Sequence, residues 1–119
     1  MERLPLEGCS ILVVEDEPLI AMDIELAFEG SGARLHIAST VSDGLALAQR
    51  HRVALGVLDH GLTDGDSREL YECLRKRKVP FIIYSGYKVS EDESRGGVVV
   101  SKPIPETDLR SLAETMMGK

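Results

Sequence analysis

The residues of this sequence that are best suited to chemistry stand directly after short apolar runs. One run is followed by Glu15 and Asp16, and a later run is followed by Asp59. Carboxylates that lie close together repel and raise one another's pKa unless a cation lies among them. Because oxygen ligands with open water positions suit Mg²⁺ better than a transition metal, these residues predict a Mg²⁺ site if the fold brings them together.

A hydroxyl group and an ammonium group follow two further apolar runs. Ser85 and Gly86 come after the fourth run, and Lys102 comes after the fifth. In an open parallel sheet, ligands bind beyond the carboxyl ends of the strands, where the strand order reverses. We therefore expect Ser85 and Lys102 to meet the three carboxylates at one rim of the sheet.

The elements that position these residues are predicted to form an α/β fold. Runs at 10–14, 53–58, 81–84 and 98–100 lack polar alternation, as expected for strands that are covered on both faces. Residues 33–38 alternate polar and apolar side chains, which is typical of an edge strand. The alternation of these runs with helical segments indicates parallel strands joined by right-handed crossovers, with helices on both faces.

Four helices have recognisable starts, and one helical segment is weak. Between Gly86 and Gly97 the chain has almost no apolar face, so the fourth helix is expected to be short or absent. The predicted starts are Pro18 for the first helix, Thr40 with Asp43 for the second, Asp66 with Glu69 for the third and Pro105 for the last.

Length and charge narrow the class of protein. The chain has 119 residues, enough for one domain, and its net charge of −6 disfavours direct binding to nucleic acid. The basic run 75–78 is interpreted as a solvated helix end. No apolar stretch is long enough to span a bilayer, so no membrane association and a cytoplasmic location are expected.

Several other polar residues have simple interpretations. His36 and His51 are interpreted as surface residues, and Cys9 and Cys73 as inert packing residues. His60, beside Asp59, could influence the chemistry of that carboxylate, but a half-exposed loop histidine without a role explains it equally well.

Taken together, the strand-end motifs resemble those of the receiver domain of two-component response regulators, over nearly the whole chain. The resemblance implies a flavodoxin-like, doubly wound (βα)5 sheet with strand order 2-1-3-4-5. The matching motifs are Val14-Glu15-Asp16-Glu17, Leu58-Asp59, Tyr84-Ser85-Gly86 and Ser101-Lys102-Pro103.

The resemblance also implies a role for each acidic residue. Asp59 would be the phosphoacceptor, which attacks a phosphohistidine or a small phosphodonor and forms an acyl phosphate. Asp16 and Asp59 would bind Mg²⁺ directly, together with the backbone carbonyl of Gly61, while Glu15 would help through water. The cofactor expected is therefore Mg²⁺.

The remaining site residues would bind the phosphoryl group. Lys102 would stabilise charge on the transferring oxygens, as such a reaction requires. Ser85, followed by Gly86, would bond a phosphoryl oxygen and move its loop, which is the usual trigger of the switch. The bond between Lys102 and Pro103 would be cis by analogy with the family.

A narrower resemblance involves residues 80–87. They resemble the Pro-Phe-x-Phe-Ala-Thr-Gly-x-Tyr signature of a single-domain receiver subgroup common in alphaproteobacteria, with departures at Tyr84 and Ser85. Val99 occupies the place where most receivers have a Tyr or Phe that rotates inward. The interval between Ser85 and Lys102 is also shorter than usual, which puts the standard aromatic switch in doubt.

The first helix has two apolar sides, and only one of them can face the core. Ile24 and Ala27 lie on one side, and Met22 and Leu26 lie on another. In receivers this helix commonly docks a sensor histidine kinase or a histidine phosphotransfer protein. Our hypothesis is that Met22 and Leu26 contact that partner; whether phosphorylation also drives dimerisation is left open.

The sequence therefore predicts a stand-alone receiver over residues 1–119, without an output domain, that signals by protein contact and is not an enzyme. One alternative is a receiver excised from a hybrid histidine kinase or a multidomain regulator. Another is a Mg²⁺-dependent phosphatase with an Asp nucleophile, but that family has Asp-x-Asp where this chain has Glu15-Asp16-Glu17. A pseudo-receiver that never takes phosphate is a third alternative, and the intact acidic set with Lys102 argues against it.

Overall fold

The computed structural model describes residues 4–62, 67–86 and 88–118, in which five strands and five helices alternate. The strands are β1 (Ser10–Val14), β2 (Arg34–Ala38), β3 (Leu55–Asp59), β4 (Phe81–Ser85) and β5 (Val98–Ser101). The helices are α1 (Pro18–Ala27), α2 (Val41–Arg50), α3 (Arg68–Lys76), α4 (Glu91–Ser94) and α5 (Glu106–Met116).

All neighbouring strands pair in parallel, in the order β2-β1-β3-β4-β5. This order confirms the predicted flavodoxin-like fold. The chain reverses direction across the sheet between β1 and β3, so the crevice for a ligand lies at the carboxyl ends of these two strands. The pairing of Val14 with Leu58 brings the residues that follow β1 level with the end of β3.

The central strands are apolar on both faces because helices cover both sides. Leu12 and Val14 lie in the cluster that α2 and α3 cover, whereas Ile11 and Val13 lie in the cluster that α1 and α5 cover. The contact between α2 and β1 is close: a Cβ atom at Gly44 would lie 2.8 Å from a methyl group of Val14. A side chain at this position would push α2 away from the sheet.

The helix starts follow the sequence closely. Pro18 is the first residue of α1, and the Thr40 hydroxyl accepts a hydrogen bond of 3.0 Å from the Asp43 N–H at the start of α2. Pro105 is the residue before α5 rather than its first residue. The predicted cap Asp66 lies outside the described residues.

The fourth helix is short, as predicted, with only four residues. It is followed by Arg95, whose backbone lies in the left-handed region (φ 52°). The prediction that β5 is covered on both faces is wrong, because Val98 and Val99 are 40% and 38% exposed. β5 is an edge strand, and the single turn of α4 is too short to cover Val99, which lies on the face of α2 and α3. Only Val100 of the valine run packs into the cluster beneath α1 and α5.

The interpretation of His36 and His51 as surface residues is also wrong. Their rings stack with centroids 3.9 Å apart, and Nε2 of His36 is buried without a hydrogen-bond partner among the described residues. Burial, followed by the nearby His51 and Arg34, lowers the pKa of His36. The pair is therefore part of the packing between β2 and the end of α2.

Candidate functional site

Three carboxylates meet at the carboxyl rim of the sheet. Glu15 and Asp16 follow β1 directly, and Asp59 is the last residue of the adjacent strand β3. One oxygen atom from each of the three residues lies within 4.8 Å of the other two. The side chains that the sequence predicts to converge are therefore within reach of one small cation.

Lys102, which follows β5, reaches across β4 into this cluster. Its Nζ atom lies 3.2 Å from Oε1 of Glu15 and 3.0 Å from Oδ1 of Asp59. The side chain of Asp59 is 7% exposed and that of Glu15 only 1%, while Lys102 is 21% exposed. Because both carboxylates are removed from water, the ammonium group is their main source of neutralising charge in the described contacts.

Burial and crowding separate the proton affinities of the two buried acids. Burial first, and then the hydrogen bond and repulsion with Asp59, raise the pKa of Glu15 to about 8 against the opposing effect of Lys102. Burial alone would raise the pKa of Asp59 too, but hydrogen bonds with Glu15, Lys102 and the Gly61 N–H lower it. At neutral pH Asp59 is therefore ionised, while Glu15 holds a proton.

The pKa values of the other two charged groups of the site are also shifted. Partial burial and the charge of Asp59 raise the pKa of Asp16. Burial would lower the pKa of Lys102, but its hydrogen bond and attraction to Asp59 and Glu15 raise it. Lys102 therefore remains a cation throughout the neutral range.

The donor set fits a hard divalent cation. Oε2 of Glu15 is buried and has no hydrogen-bond partner among the described residues, a costly arrangement that a bound cation would relieve. Carboxylate oxygens with room for water are the ligands that Mg²⁺ prefers. The N–H of Gly61 donates to Oδ1 of Asp59 at 3.2 Å, while the role of its carbonyl stays a prediction.

Ser85 and Gly86 lie beside the acidic cluster at the end of β4. Asp59 pairs with Tyr84 in the sheet, so Ser85 stands one residue beyond the phosphoacceptor candidate. Ser85 is buried, and its carbonyl accepts a hydrogen bond of 2.8 Å from the Lys102 N–H. A Cβ atom at Gly86 would have no neighbour within 4 Å, so this side of the rim is open.

Tyr84, which the sequence places in a motif without a role of its own, is also a neighbour of the site. Its ring centroid lies 5.2 Å from Nζ of Lys102, and its hydroxyl accepts a hydrogen bond of 3.3 Å from the Ile104 N–H. It thus fixes both sides of the Lys102–Pro103 peptide bond, which is cis as expected. The sequence signal was a phenol group next to Ser85, after the apolar residues Phe81, Ile82 and Ile83 of the same strand.

His60 is more integrated than the sequence indicated. Its side chain is 17% exposed, and its Nδ1 atom lies 2.7 Å from the hydroxyl oxygen of Tyr71. Its Nε2 atom lies 3.4 Å from Oε2 of Glu93 in α4. Nothing in the spacing of these three residues could have predicted that they meet.

The first helix has one buried and one exposed apolar side, as predicted. Ile24 and Ala27 are buried in the core, while Met22 and Leu26 are 55% and 47% exposed. The two exposed side chains line a groove of about 470 Å³ that continues onto Ile37 of β2. Among the described residues no helix is both long and apolar enough to cross a membrane.

Comparison with known proteins defines the class. Residues 11–114 match the family model described as the response regulator receiver domain. The KDP operon transcriptional regulatory protein KdpE of Escherichia coli K12 is 38% identical over 85 residues, which cover 71% of this chain and 38% of that protein. The phyllosphere-induced regulator PhyR of Methylorubrum extorquens is 29% identical over 109 residues, covering 86% of this chain and 41% of that protein.

Solved structures agree with the fold. A CheY-like response regulator receiver domain protein from Methanospirillum hungatei superimposes with a TM-score of 0.83 at 25% identity, covering 92% of this chain and 94% of that one. A two-component response regulator from Clostridium difficile gives a TM-score of 0.84 at 15% identity, covering 94% and 98%.

The chain belongs to the response regulator receiver domain family. It spans about two fifths of the length of the curated relatives named above. Receiver domains of this family bind Mg²⁺ at an acidic pocket and interact with histidine kinases or phosphotransfer proteins. This chain has a cluster of three acidic residues, Glu15, Asp16 and Asp59, that could hold such an ion.

Proposed function

We propose that this receiver takes a phosphoryl group onto Asp59 and signals the change through protein contacts. The observation that supports this most directly is the position of Lys102, whose Nζ atom bridges Asp59 and Glu15 beside the third carboxylate, Asp16. The donor would be a phosphohistidine of a sensor histidine kinase or of a histidine phosphotransfer protein. We further propose that residues 1–119 act as one receiver domain.

In the proposed reaction an Oδ atom of Asp59 attacks the phosphorus atom of the donor. A P–O bond forms to the carboxylate as the P–N bond to the histidine breaks, and the leaving imidazole takes up a proton. The lowered pKa of Asp59 keeps this group ionised. Lys102, which now pairs with the carboxylate, can then stabilise the negative charge on the phosphoryl oxygens. No other group in the chain has to be covalently modified.

The metal would be held by Asp16 and Asp59, with the Gly61 carbonyl, and by Glu15 through water. A bound Mg²⁺ supplies positive charge against the equatorial oxygens of the transferring group. A cation held there would favour the ionised form of Glu15, whose pKa burial raises. The unpartnered Oε2 atom of Glu15 supports a role close to the ion.

Ser85 would bind the phosphoryl group once it has arrived. The residue ends β4 next to Asp59, and a phosphoryl oxygen would give its hydroxyl a new, charged acceptor. Gly86 allows the chain to follow because its position is sterically open. The movement would pass into the segment that leads to α4.

Incubation with acetyl phosphate and Mg²⁺, followed by intact-mass measurement, tests the proposal. We expect one labile, hydroxylamine-sensitive phosphate on the wild-type protein and none on Asp59→Asn. Asp23→Asn, which removes an exposed carboxylate of α1, is the control and should label like the wild type. Equal labelling of Asp59→Asn and wild type, or a hydroxylamine-stable phosphate on Ser85, would contradict the proposal.

Met22 and Leu26 are proposed to contact the phosphodonor protein. Both belong to the exposed side of α1, and α1 begins three residues after Glu15, at the rim of the site. We expect Met22→Gln and Leu26→Gln to slow transfer from a phosphorylated histidine phosphotransfer protein while leaving labelling by acetyl phosphate unchanged. Val99→Gln, which alters an exposed valine on the far edge of the sheet, is the control; unchanged transfer in both α1 variants would refute the assignment.

A further inference from the structure

The ring of His60 is fixed to the end of the strand that carries Asp59. The Ser67 hydroxyl lies 3.3 Å from the carbonyl oxygen of Asp59 and 3.2 Å from that of His60, so it binds the main chain on both sides of the peptide bond. The imidazole stacks on Tyr71, which stacks in turn on Phe81 in the core. These contacts hold the main chain and the side chain of His60 in place at the end of the strand that carries Asp59.

The contact between His60 and Tyr71 indicates which ring nitrogen of a neutral His60 carries the proton. The Tyr71 hydroxyl can donate to Nδ1 at 2.7 Å, which leaves the proton of a neutral imidazole on Nε2. Nε2 lies 3.4 Å from Oε2 of Glu93. Through these two contacts His60 connects Tyr71 of α3 to Glu93 of α4.

Helix α4 depends on polar contacts for its position. Its four residues are all polar, and it begins with a capping box in which Glu93 binds Ser90. The capping interaction uses Oε1 of Glu93, so that Oε2 is left to face His60. A second contact, of 3.7 Å between Arg95 and Glu72, connects the end of α4 to α3.

Two segments of the proposed phosphorylation site are connected to α4. His60 is the residue after Asp59, and Ser85 is five residues before the cap Ser90. Binding of Ser85 to a phosphoryl oxygen would pull the cap towards the site, while His60 stays fixed to β3 by Ser67. The distance between His60 and Glu93 must then change.

We infer that the His60–Glu93 contact is a positioning device that holds α4 in its present place until Asp59 is phosphorylated. This inference rests on the proposed function, because it assigns the contact to the unphosphorylated state alone. By thermodynamic linkage, a contact that exists in one state only opposes the transition to the other state. Removing it should therefore make the phosphorylated form easier to reach.

Beryllium trifluoride with Mg²⁺, a stable mimic of the aspartyl phosphate, provides the measurement. Glu93→Gln keeps an oxygen for the capping box but places an amide NH₂ group, which cannot accept a hydrogen bond, opposite His60. We expect this variant to bind the mimic about two- to tenfold more tightly than the wild type, the range that one hydrogen bond can account for. Glu91→Gln removes the same charge from the same exposed helix and is the matched control, for which we expect unchanged affinity.

Hydrogen exchange across residues 91–95 gives an independent measure of the same contact. We expect the mimic to accelerate exchange in the wild type, and Glu93→Gln to exchange faster even without it. Equal affinities and equal exchange for Glu93→Gln and Glu91→Gln, in proteins that bind the mimic, would overturn the inference. Failure of the wild type to bind the mimic would instead refute the proposed function, so the two failures are distinguishable.

Discussion

The unusual proton affinity of Glu15 gives the sharpest quantitative prediction. With its side chain 1% exposed, Glu15 has a pKa of about 8 in the folded protein against an ordinary value of 4.5. Replacing it by Gln keeps the shape and one oxygen acceptor but removes the ionisation. Asp59 remains to pair with Lys102 in this variant.

The sign and the size follow from proton linkage. A carboxyl group whose folded pKa is raised contributes stability that is fully present below its unfolded pKa and is lost as the pH rises towards the folded pKa. At about 1.4 kcal/mol per pH unit, the interval between 4.5 and about 8 sets a ceiling of about 5 kcal/mol. The stability that Asp59 contributes through its lowered pKa is lost only below its ordinary value of 3.8, and that of Lys102 is lost only above 10.5, so neither changes within this interval.

Urea unfolding in the presence of EDTA, repeated from pH 5 to pH 8, measures this effect. We expect the stability of the metal-free wild type to fall relative to that of Glu15→Gln as the pH rises. The difference should grow by about 2 to 4 kcal/mol over the series, within the ceiling set by linkage. Asp16, whose pKa is also raised, is present in both proteins and cancels in the comparison.

Glu17→Gln is the matched control, because Glu17 is exposed and carries the same charge two residues away. Its stability should stay parallel to that of the wild type across the series. A Glu15→Gln curve that is equally parallel would show that Glu15 is not held protonated by burial.

Three further predictions concern the metal and the fold. Mg²⁺ at a hundredfold excess over its dissociation constant should raise the stability of the wild type by about 2 to 3 kcal/mol, and Asp16→Asn should lose most of that gain; an undiminished gain in the variant would exclude Asp16 as a ligand. Thr40→Ala should cost about 1 kcal/mol in urea unfolding, because the start of α2 loses its cap, and unchanged stability would show that the bond to Asp43 contributes nothing. Gly97→Ala should cost about 1 to 3 kcal/mol because the added Cβ collides with the Phe81 ring, whereas Gly86→Ala, with nothing within 4 Å, should cost less; the reverse order would contradict the packing of β5.

Much of the fold could be predicted from the sequence, because its local signals agree with its tertiary contacts. The runs that form β1, β3 and β4 are uniformly apolar, and all three strands lie inside the sheet with helices on both faces. The run that forms β5 has the same appearance but lies at an edge. Val99, which lies on the face covered by α2 and α3, is exposed because the helix before it is only one turn long, a consequence of the neighbouring segment rather than of the strand itself.

The residues of the candidate site could be predicted from the sequence, but their ion pairs and pKa shifts could not. Glu15, Asp59 and Lys102 could be expected at one rim because parallel strands end on the same side of a sheet. Their sequence gives no indication that Lys102 would lie 3.2 Å from Glu15, a contact across 87 positions, or that Glu15 would hold a proton. Burial creates that property, and burial depends on the packing of the whole rim.

The contact between His60 and Glu93 lay beyond prediction for a similar reason. Glu93 has a complete local explanation as the partner of Ser90 in a capping box, and that explanation uses only one of its oxygens. The second oxygen meets a histidine 33 positions earlier through the packing of α4 beside α3. A local sequence pattern cannot show which distant residue contacts the carboxylate oxygen that the capping box does not use.

Chemical mapping of the modified residue tests the central claim most directly. Borohydride reduces an aspartyl phosphate to homoserine, which peptide mass spectrometry can locate after treatment with acetyl phosphate and Mg²⁺. We predict homoserine at position 59 in the wild-type protein and at no other aspartate. Reduction at position 16 with Asp59 intact, or no reduction anywhere although Mg²⁺ binds, would contradict the assignment of Asp59 as the phosphoacceptor.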